Sequence, residues 1–221
     1  VPANSPGTSL GRVEDKLGIR LSVQPEVIFE NVRVPRENLI GKEGDGVLMM
    51  NRAYNWRGAL LGIGGVGAMQ AAFGYCLQFA KHDKRGGTKP IIHYQNVGFM
   101  LANMKMRIEA ARYMVWGGCH WVDTHQADGT EIPVLAKVFC SEIAAEVCRD
   151  ALYLMGVNGY VKAHPIERHL RDALGLPISD AGNMGVRRRQ LHGLMLHPDY
   201  DPNAIVENRL MPFDKLQASE V

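Results

Sequence analysis

The residue of this chain best placed for chemistry is Asp180, in the segment GLPISDAGNMGVRRRQ at 175–190. Gly175 and Pro177 end a helix-compatible run, and a second helix is expected to open near Asn183, carrying Arg187, Arg188 and Arg189. Between them the acid stands alone in a small, apolar, glycine-rich turn. Such a turn lets the backbone approach a ligand closely, and one carboxylate with few polar neighbours is suited to act as a general base. The plainer alternative is that Asp180 only caps the helix that follows.

The elements that must position this turn fall into two textures. Residues 1–44 are strand-like: IRLSVQPEVIFENVRVP alternates apolar and polar residues between turn signals. From Val47 the pattern becomes helical. A first helix is expected from Gly46 to about Lys81, a second from about Ile91 to His125, and a third from Ile132 to Leu154. Shorter helices are expected at about 164–174 and 183–195. Long helices joined by short breaks (KRGGTKP at 84–90, ADGT at 127–130) predict an antiparallel bundle. The expected organisation is the end of a β-domain at 1–44, a helical bundle domain at 45–197, and an extended tail at 198–221. The fold class is therefore mainly α.

Composition narrows the function classes. A hydrophobic share of 46% and a charged share of 22% are those of an ordinary globular chain. A net charge of +2 supplies no basic face for nucleic acid, and no run of 18 apolar residues predicts a membrane span. The four cysteines, Cys76, Cys119, Cys140 and Cys148, show no metal-ligand or redox spacing and read as reduced core thiols. A reducing compartment, cytosol or organelle matrix, is the expectation.

Two further patterns have plain readings. Gly62 to Gly67 spells GxGxxG, but it lies inside a long helical pattern rather than after a strand, so close helix packing is expected instead of a dinucleotide loop. His164-Pro-Ile-Glu167-Arg-His169 has metal-ligand residue types without a metal-site spacing; Glu167, Arg168, Arg171 and Asp172 are expected to form ion pairs. No metal site is expected.

An ordered series of segments carries a resemblance. VEDKLGIR (13–20), VIFENVRVPRENLIGKEGDG (27–46), KPIIHYQ (89–95), IEAAR (108–112), MGVNGY (155–160), and ERHLRDA followed by ISDAGN and Arg187 together resemble the acyl-CoA dehydrogenase superfamily over nearly the whole chain. The resemblance implies the C-terminal part of that fold, and that the helical domain and first β segment preceding it belong to a missing N-terminal half. It also implies an FAD cofactor, a homodimer or homotetramer with flavin sites straddling the interface, and a small-molecule substrate.

The resemblance assigns roles residue by residue. The family's glutamate base falls on Asp180, with Arg187 seven residues on and Arg57 of the first helix beside the base. Aspartate is one methylene shorter, so its carboxylate reaches roughly 1.5 Å less far. The family's threonine is replaced by Gly182, with Asn183 following; the resemblance implies that these two and Gly156 are cofactor contacts. In the flavin-binding Arg-x-x-Phe-Gly segment this chain reads Lys84-Arg85-Gly86-Gly87-Thr88, so Arg85 or Lys84 is expected to meet the pyrophosphate. Gln95 matches the family's glutamine near the flavin. Before Gly156 the usual adenine-side glutamine is replaced by Tyr153.

The reading that follows is an FAD-dependent oxidoreductase acting on CH–CH groups of an acyl-CoA thioester, with Asp180 abstracting a carbon-bound proton. The aspartate base loop also resembles flavin-dependent nitroalkane oxidases of the same superfamily, whose substrate is a nitroalkane carbon acid. Arg57 argues for the dehydrogenase, because those oxidases carry a serine in that helix. A third reading, from the lost family residues, is a dehydrogenase-like scaffold that no longer turns over and serves as a binding or assembly partner.

Overall fold

The computed structural model describes residues 1–125, 128–211 and 213. Two short strands come first: β1 (Thr8–Val13) pairs antiparallel with β2 (Pro25–Phe29), in a register of Thr8 opposite Phe29 and Leu10 opposite Val27, with an irregularity before Val13. The helical part follows as α1 (Gly46–His82), α2 (Gln95–His125), α3 (Glu131–Met155), the single turn α4 (Val157–Tyr160), α5 (Ile166–Gly175) and α6 (Arg188–Met195). A mainly helical chain with an antiparallel bundle is what the sequence predicts. The tail differs from its expected extended form. Residues 202–208 fold into successive turns that bury Ala204 and Met211, and the Tyr200 hydroxyl donates to Glu131 at 2.7 Å. Residues 212 and 214–221 lie outside the described residues.

The long helices pack because their small residues let backbones come close. Gly58, Gly62 and Gly65 of α1 lie against α3 and α2; a Cβ at Gly62 would come within 2.6 Å of Val115 Cγ2, and one at Gly65 within 3.0 Å of the Cys140 carbonyl oxygen. The GxGxxG stretch is thus a helix-packing face and not a nucleotide loop. α1 is also long and apolar enough by composition to cross a membrane; in this fold it is the helix on which both α2 and α3 rest. Around that contact Met69, Ala72, Cys76, Met104, Ile108, Ala144, Val147 and Ala151 are fully buried. The thiols of Cys76, Cys140 and Cys148 are free, and burial pushes each up to about 12.

Boundaries depart from the sequence reading in three places: residues 19–24 of the strand-like run are turn and bend ahead of β2, the helix expected at 183–195 opens as a π-helical turn with α6 only from Arg188, and the second helix is displaced. The second helix does not begin at Ile91: Ile91–His93 is a separate 3-10 turn, Tyr94 is extended, and α2 starts at Gln95. Ile91 N–H is drawn back to the Asp83 carbonyl at 2.8 Å, which closes the 84–90 loop before the helix can start.

The segment between the strands is latched onto α5. Ile19 N–H donates to Asp172 Oδ1 at 2.6 Å, and Arg171 Nη1 donates to the Leu17 carbonyl at 2.7 Å. A side chain at Gly18 would collide with the Arg171 carbonyl, so the close approach requires glycine there. Of the expected ion pairs, Glu167–Arg171 forms at 2.7 Å, whereas Asp172 serves the latch. This brings residues 16–22 over the turn that carries Asp180.

Candidate active site

Three consecutive residues of that turn, Asp180 (φ 50°), Ala181 (φ 68°) and Gly182 (φ 70°), occupy the left-handed region. For the two non-glycine residues this costs about 1–3 kcal/mol each, a strain that persists only where the surroundings enforce it. The chain then continues through a π-helical turn, Gly182–Arg187, into α6. Such wide turns often mark functional positions. Asp180 does not cap the helix: Ala181 holds the cap position, and no side-chain cap bond forms.

The Asp180 side chain is 7% exposed, and its Oδ1 lies 3.0 Å from Arg57 Nη2 on α1. Its Oδ2 is buried and has no hydrogen-bond partner among the described residues. Arg57 is 63% exposed, so the acid is buried while its counter-ion reaches solvent. Arg187 acts on the backbone of the same residue. Its Nε (3.1 Å) and Nη2 (2.9 Å) both donate to the Asp180 carbonyl, its Nη1 donates to Gln190 Oε1 at 2.8 Å, and its guanidinium lies 4.7 Å over the Tyr54 ring. Burial lowers the Arg187 pKa, against the opposing pull of Asp180 and Tyr54. Arg57, Asp180 and Arg187 are therefore together, as the sequence predicts, with distinct tasks: one holds the carboxylate and the other the peptide.

A lysine that sequence reasoning missed completes the support. Lys137 of α3 is fully buried, and its ammonium donates to Asn183 Oδ1 (2.6 Å), to the Ser179 carbonyl (2.8 Å) and, at longer range, to the Pro177 carbonyl (3.4 Å). Asn183 in turn donates to Ser141 Oγ (3.0 Å) and Glu142 Oε1 (3.1 Å), and Glu142 is held by Arg188 at 2.7 Å. Asn183, expected among the cofactor contacts, instead turns its side chain into the core, because α3 presents three polar groups to it there. The available signal was Lys137 itself, a lysine on a mostly apolar buried stripe of α3 that includes Val134, Cys140 and Ala144.

The remaining candidates gather elsewhere. Arg85 (φ 47°) donates to the Leu154 carbonyl and lies beside Gly156, with Asp83 3.5 Å away. Gly156 ends α3 at φ 62°, ψ −137°, a conformation open in practice only to glycine. Lys84 and Gln95 are exposed at the ends of the same loop. From Lys137 to Gly156 along α3 is roughly 28 Å at the helical rise per residue, so one chain holds two separate clusters.

Beside Asp180 opens a cavity of about 560 Å³ whose walls include Arg57, Leu61, Ile178 and Asp180, roofed by residues 16–19 of the latched segment. No atom would crowd a Cβ at Gly182, so that flank of the turn is open. A cavity of mixed apolar and polar walls with an acidic residue in its lining is a recess suited to a small organic ligand.

The chain belongs to the acyl-CoA dehydrogenase family: residues 44–195 match the acyl-CoA dehydrogenase C-terminal domain. Among individual relatives, the nitroalkane oxidase of Podospora anserina is 40% identical over 180 residues, which is 80% of this chain and 42% of that protein. Its solved structure aligns with a TM-score of 0.87 at 36% identity, covering 92% of this chain and 49% of that one. The mitochondrial short-chain specific acyl-CoA dehydrogenase of Sus scrofa is 33% identical over 196 residues, 89% of this chain and 47% of that protein. A further structure, solved to analyse the roles of an arginine and an aspartate in the reaction of the flavoprotein nitroalkane oxidase, aligns at a TM-score of 0.86 and 30% identity, over 93% and 49% of the two chains. The chain spans less than half the length of the curated relatives it matches.

Proposed function

We propose that this chain carries the proton-abstracting part of an FAD-dependent, acyl-CoA dehydrogenase-like oxidoreductase, with Asp180 as the base. The observation that carries this reading is the Asp180 carboxylate: buried, fixed through Oδ1 by Arg57, and with Oδ2 unpartnered among the described residues, at the end of a cavity. Oδ2 is then the atom that receives a proton from carbon next to an electron-withdrawing group. Arg57 balances the carboxylate charge until transfer, and Arg187 fixes the peptide from which the side chain springs. For a thioester substrate, the backbone N–H of Asp180 serves as the protein's donor to the carbonyl oxygen.

The residues fit FAD in two places. Arg85 offers a guanidinium beside the open, left-handed backbone of Gly86, a suitable donor set for a pyrophosphate, with Lys84, Gln95 and Gly156 at the same end. The open flank of Gly182 beside Asp180 leaves room for a flat ring. When bound, the flavin supplies the acceptor for the electron pair released from substrate. The roughly 28 Å between these ends on one chain supports a homodimer or homotetramer in which each flavin meets one end from each of two copies.

The second reading, a nitroalkane oxidase-like enzyme, is favoured by the acid being aspartate. The nitroalkane oxidase structure above was solved around an arginine and an aspartate, the two residue types found here at 187 and 180. Anaerobic mixing of the flavin-loaded protein with an acyl-CoA panel and with nitroethane tests both. Bleaching by a thioester is the expected result; bleaching by nitroethane alone selects the oxidase. A protein that stays colourless with added FAD would contradict both and leave a scaffold.

A further inference from the structure

The left-handed turn needs an explanation, because two of its three residues are not glycine and, while aspartate visits that region at times, nothing in alanine favours it. Its peptides are pinned from both sides by one group. Lys137 donates to the carbonyls of Pro177 and Ser179 ahead of Asp180 and to the side chain of Asn183 behind it. A lysine ammonium has three N–H donors, and all three find acceptors here. The lysine sits in the second turn of α3, so the turn is tied to the bundle rather than to another loop. Burying a charge is costly unless its hydrogen bonds are complete, and these acceptors belong to the segment that carries the acid.

We propose that Lys137 is a positioning residue for Asp180: its ammonium holds the turn from 177 to 183 in the left-handed path that aims the carboxylate into the cavity. The proposal deepens, and rests on, the reading of Asp180 as the base. Charged groups facing Lys137 are Arg187 from the π-helical turn, Asp180 from the turn itself and Glu142 from α3, the last also bound by Arg188 of α6. Burial, with Arg187, lowers the Lys137 pKa to about 8, outweighing Asp180 and Glu142. Above that pH a neutral amine has two donors for three acceptors, and one acceptor then faces a lone pair. The anchor therefore weakens in mildly alkaline solution.

The test is Lys137→Met, which keeps the unbranched apolar stem as far as Cε but removes the ammonium and its donors, with Asp180→Asn in parallel on the flavin-loaded protein. Expected for Lys137→Met are a loss of flavin reduction by roughly 10- to 100-fold, as for a small misplacement of a reacting group, with KM little changed. The alkaline fall of the wild-type rate, centred near pH 8, should vanish. Amide exchange over residues 178–186 should quicken in the variant while exchange over α2 stays unchanged. A wild-type rate, pH profile and exchange pattern in Lys137→Met would overturn the proposal, leaving Lys137 as core filling. If the variant fails to fold, wild-type exchange decides. Corrected for intrinsic rate, protection over 178–186 must drop between about pH 7 and about pH 9.5, and constant protection overturns the idea. If Asp180→Asn keeps its rate, the base assignment fails by itself, while the exchange readout still reports on the hold of Lys137 on the turn.

Discussion

The buried lysine gives the protein a pH dependence of stability whose size can be worked out. In the unfolded chain Lys137 titrates at the ordinary 10.5, and in the fold at about 8. The unfolded state therefore binds more protons across that interval, and stability rises with pH through it. At neutral pH the charged lysine costs about 3 kcal/mol, since a tenfold change in proton affinity is about 1.4 kcal/mol. Between about pH 7 and about pH 9.5 roughly 2 kcal/mol of this cost is recovered. The buried thiols of Cys76, Cys140 and Cys148 act in the opposite sense. Their pKa values are raised from 9.0 to about 12, so their contribution is lost as pH climbs above 9.0. The difference between wild type and Lys137→Met cancels the thiols. Urea unfolding followed by far-UV circular dichroism at a series of pH values should show wild type gaining about 2 kcal/mol on the variant over that range. Parallel stability curves for the two proteins would refute the claim that Lys137 is a charged, desolvated group at neutral pH. The same deprotonation that stabilises the fold slackens the turn, so stability and flavin reduction should move in opposite directions between about pH 8 and about pH 9, below the onset of thiol ionisation.

Other substitutions give signed expectations. Ala181→Gly relieves a φ of 68° and should raise stability by about 1 kcal/mol, read as a higher urea midpoint; a lower midpoint would mean that the turn is not strained. Gly62→Ala drives a Cβ to 2.6 Å from Val115 Cγ2 and should cost about 1–3 kcal/mol, a fall in Tm visible by calorimetry. Arg187→Lys cannot keep two parallel bonds to the Asp180 carbonyl, the bond to Gln190 and the face of Tyr54 together. It should lose about 2 kcal/mol of stability, measured by urea unfolding, together with much of the flavin reduction rate.

Much of this was legible in the chain because it rests on local rules. The apolar periodicity of 46–82 and 131–155 is long and uninterrupted, so the two helices end within a residue or two of their expected limits. The glycines at 62 and 65 inside a helical pattern could only be a packing face, and they are. Asp180 and Arg187 were visible by type and spacing, but not the division of labour between them: that Arg187 grips a carbonyl rather than a carboxylate depends on the π-helical turn, which no propensity encodes. Asn183 looked like a ligand contact because it neighbours the base. Only α3, more than forty residues away in sequence, reveals its partners Lys137, Ser141 and Glu142. The separation of Arg85 and Gly156 from Asp180 is likewise a matter of bundle length, which is set by tertiary packing.

The most direct test of the central claim is the rate of anaerobic flavin reduction in Asp180→Asn, with the substrate that bleaches the wild type. Asparagine keeps the shape and can still accept a hydrogen bond from Arg57 through Oδ1, but it has an amide nitrogen in place of Oδ2 and cannot take up a carbon-bound proton there. The expected result is a yellow protein with flavin bound at wild-type stoichiometry whose reduction is lost, by about 100-fold or more. Reduction at the wild-type rate in that variant would contradict the account and remove Asp180 from the chemistry.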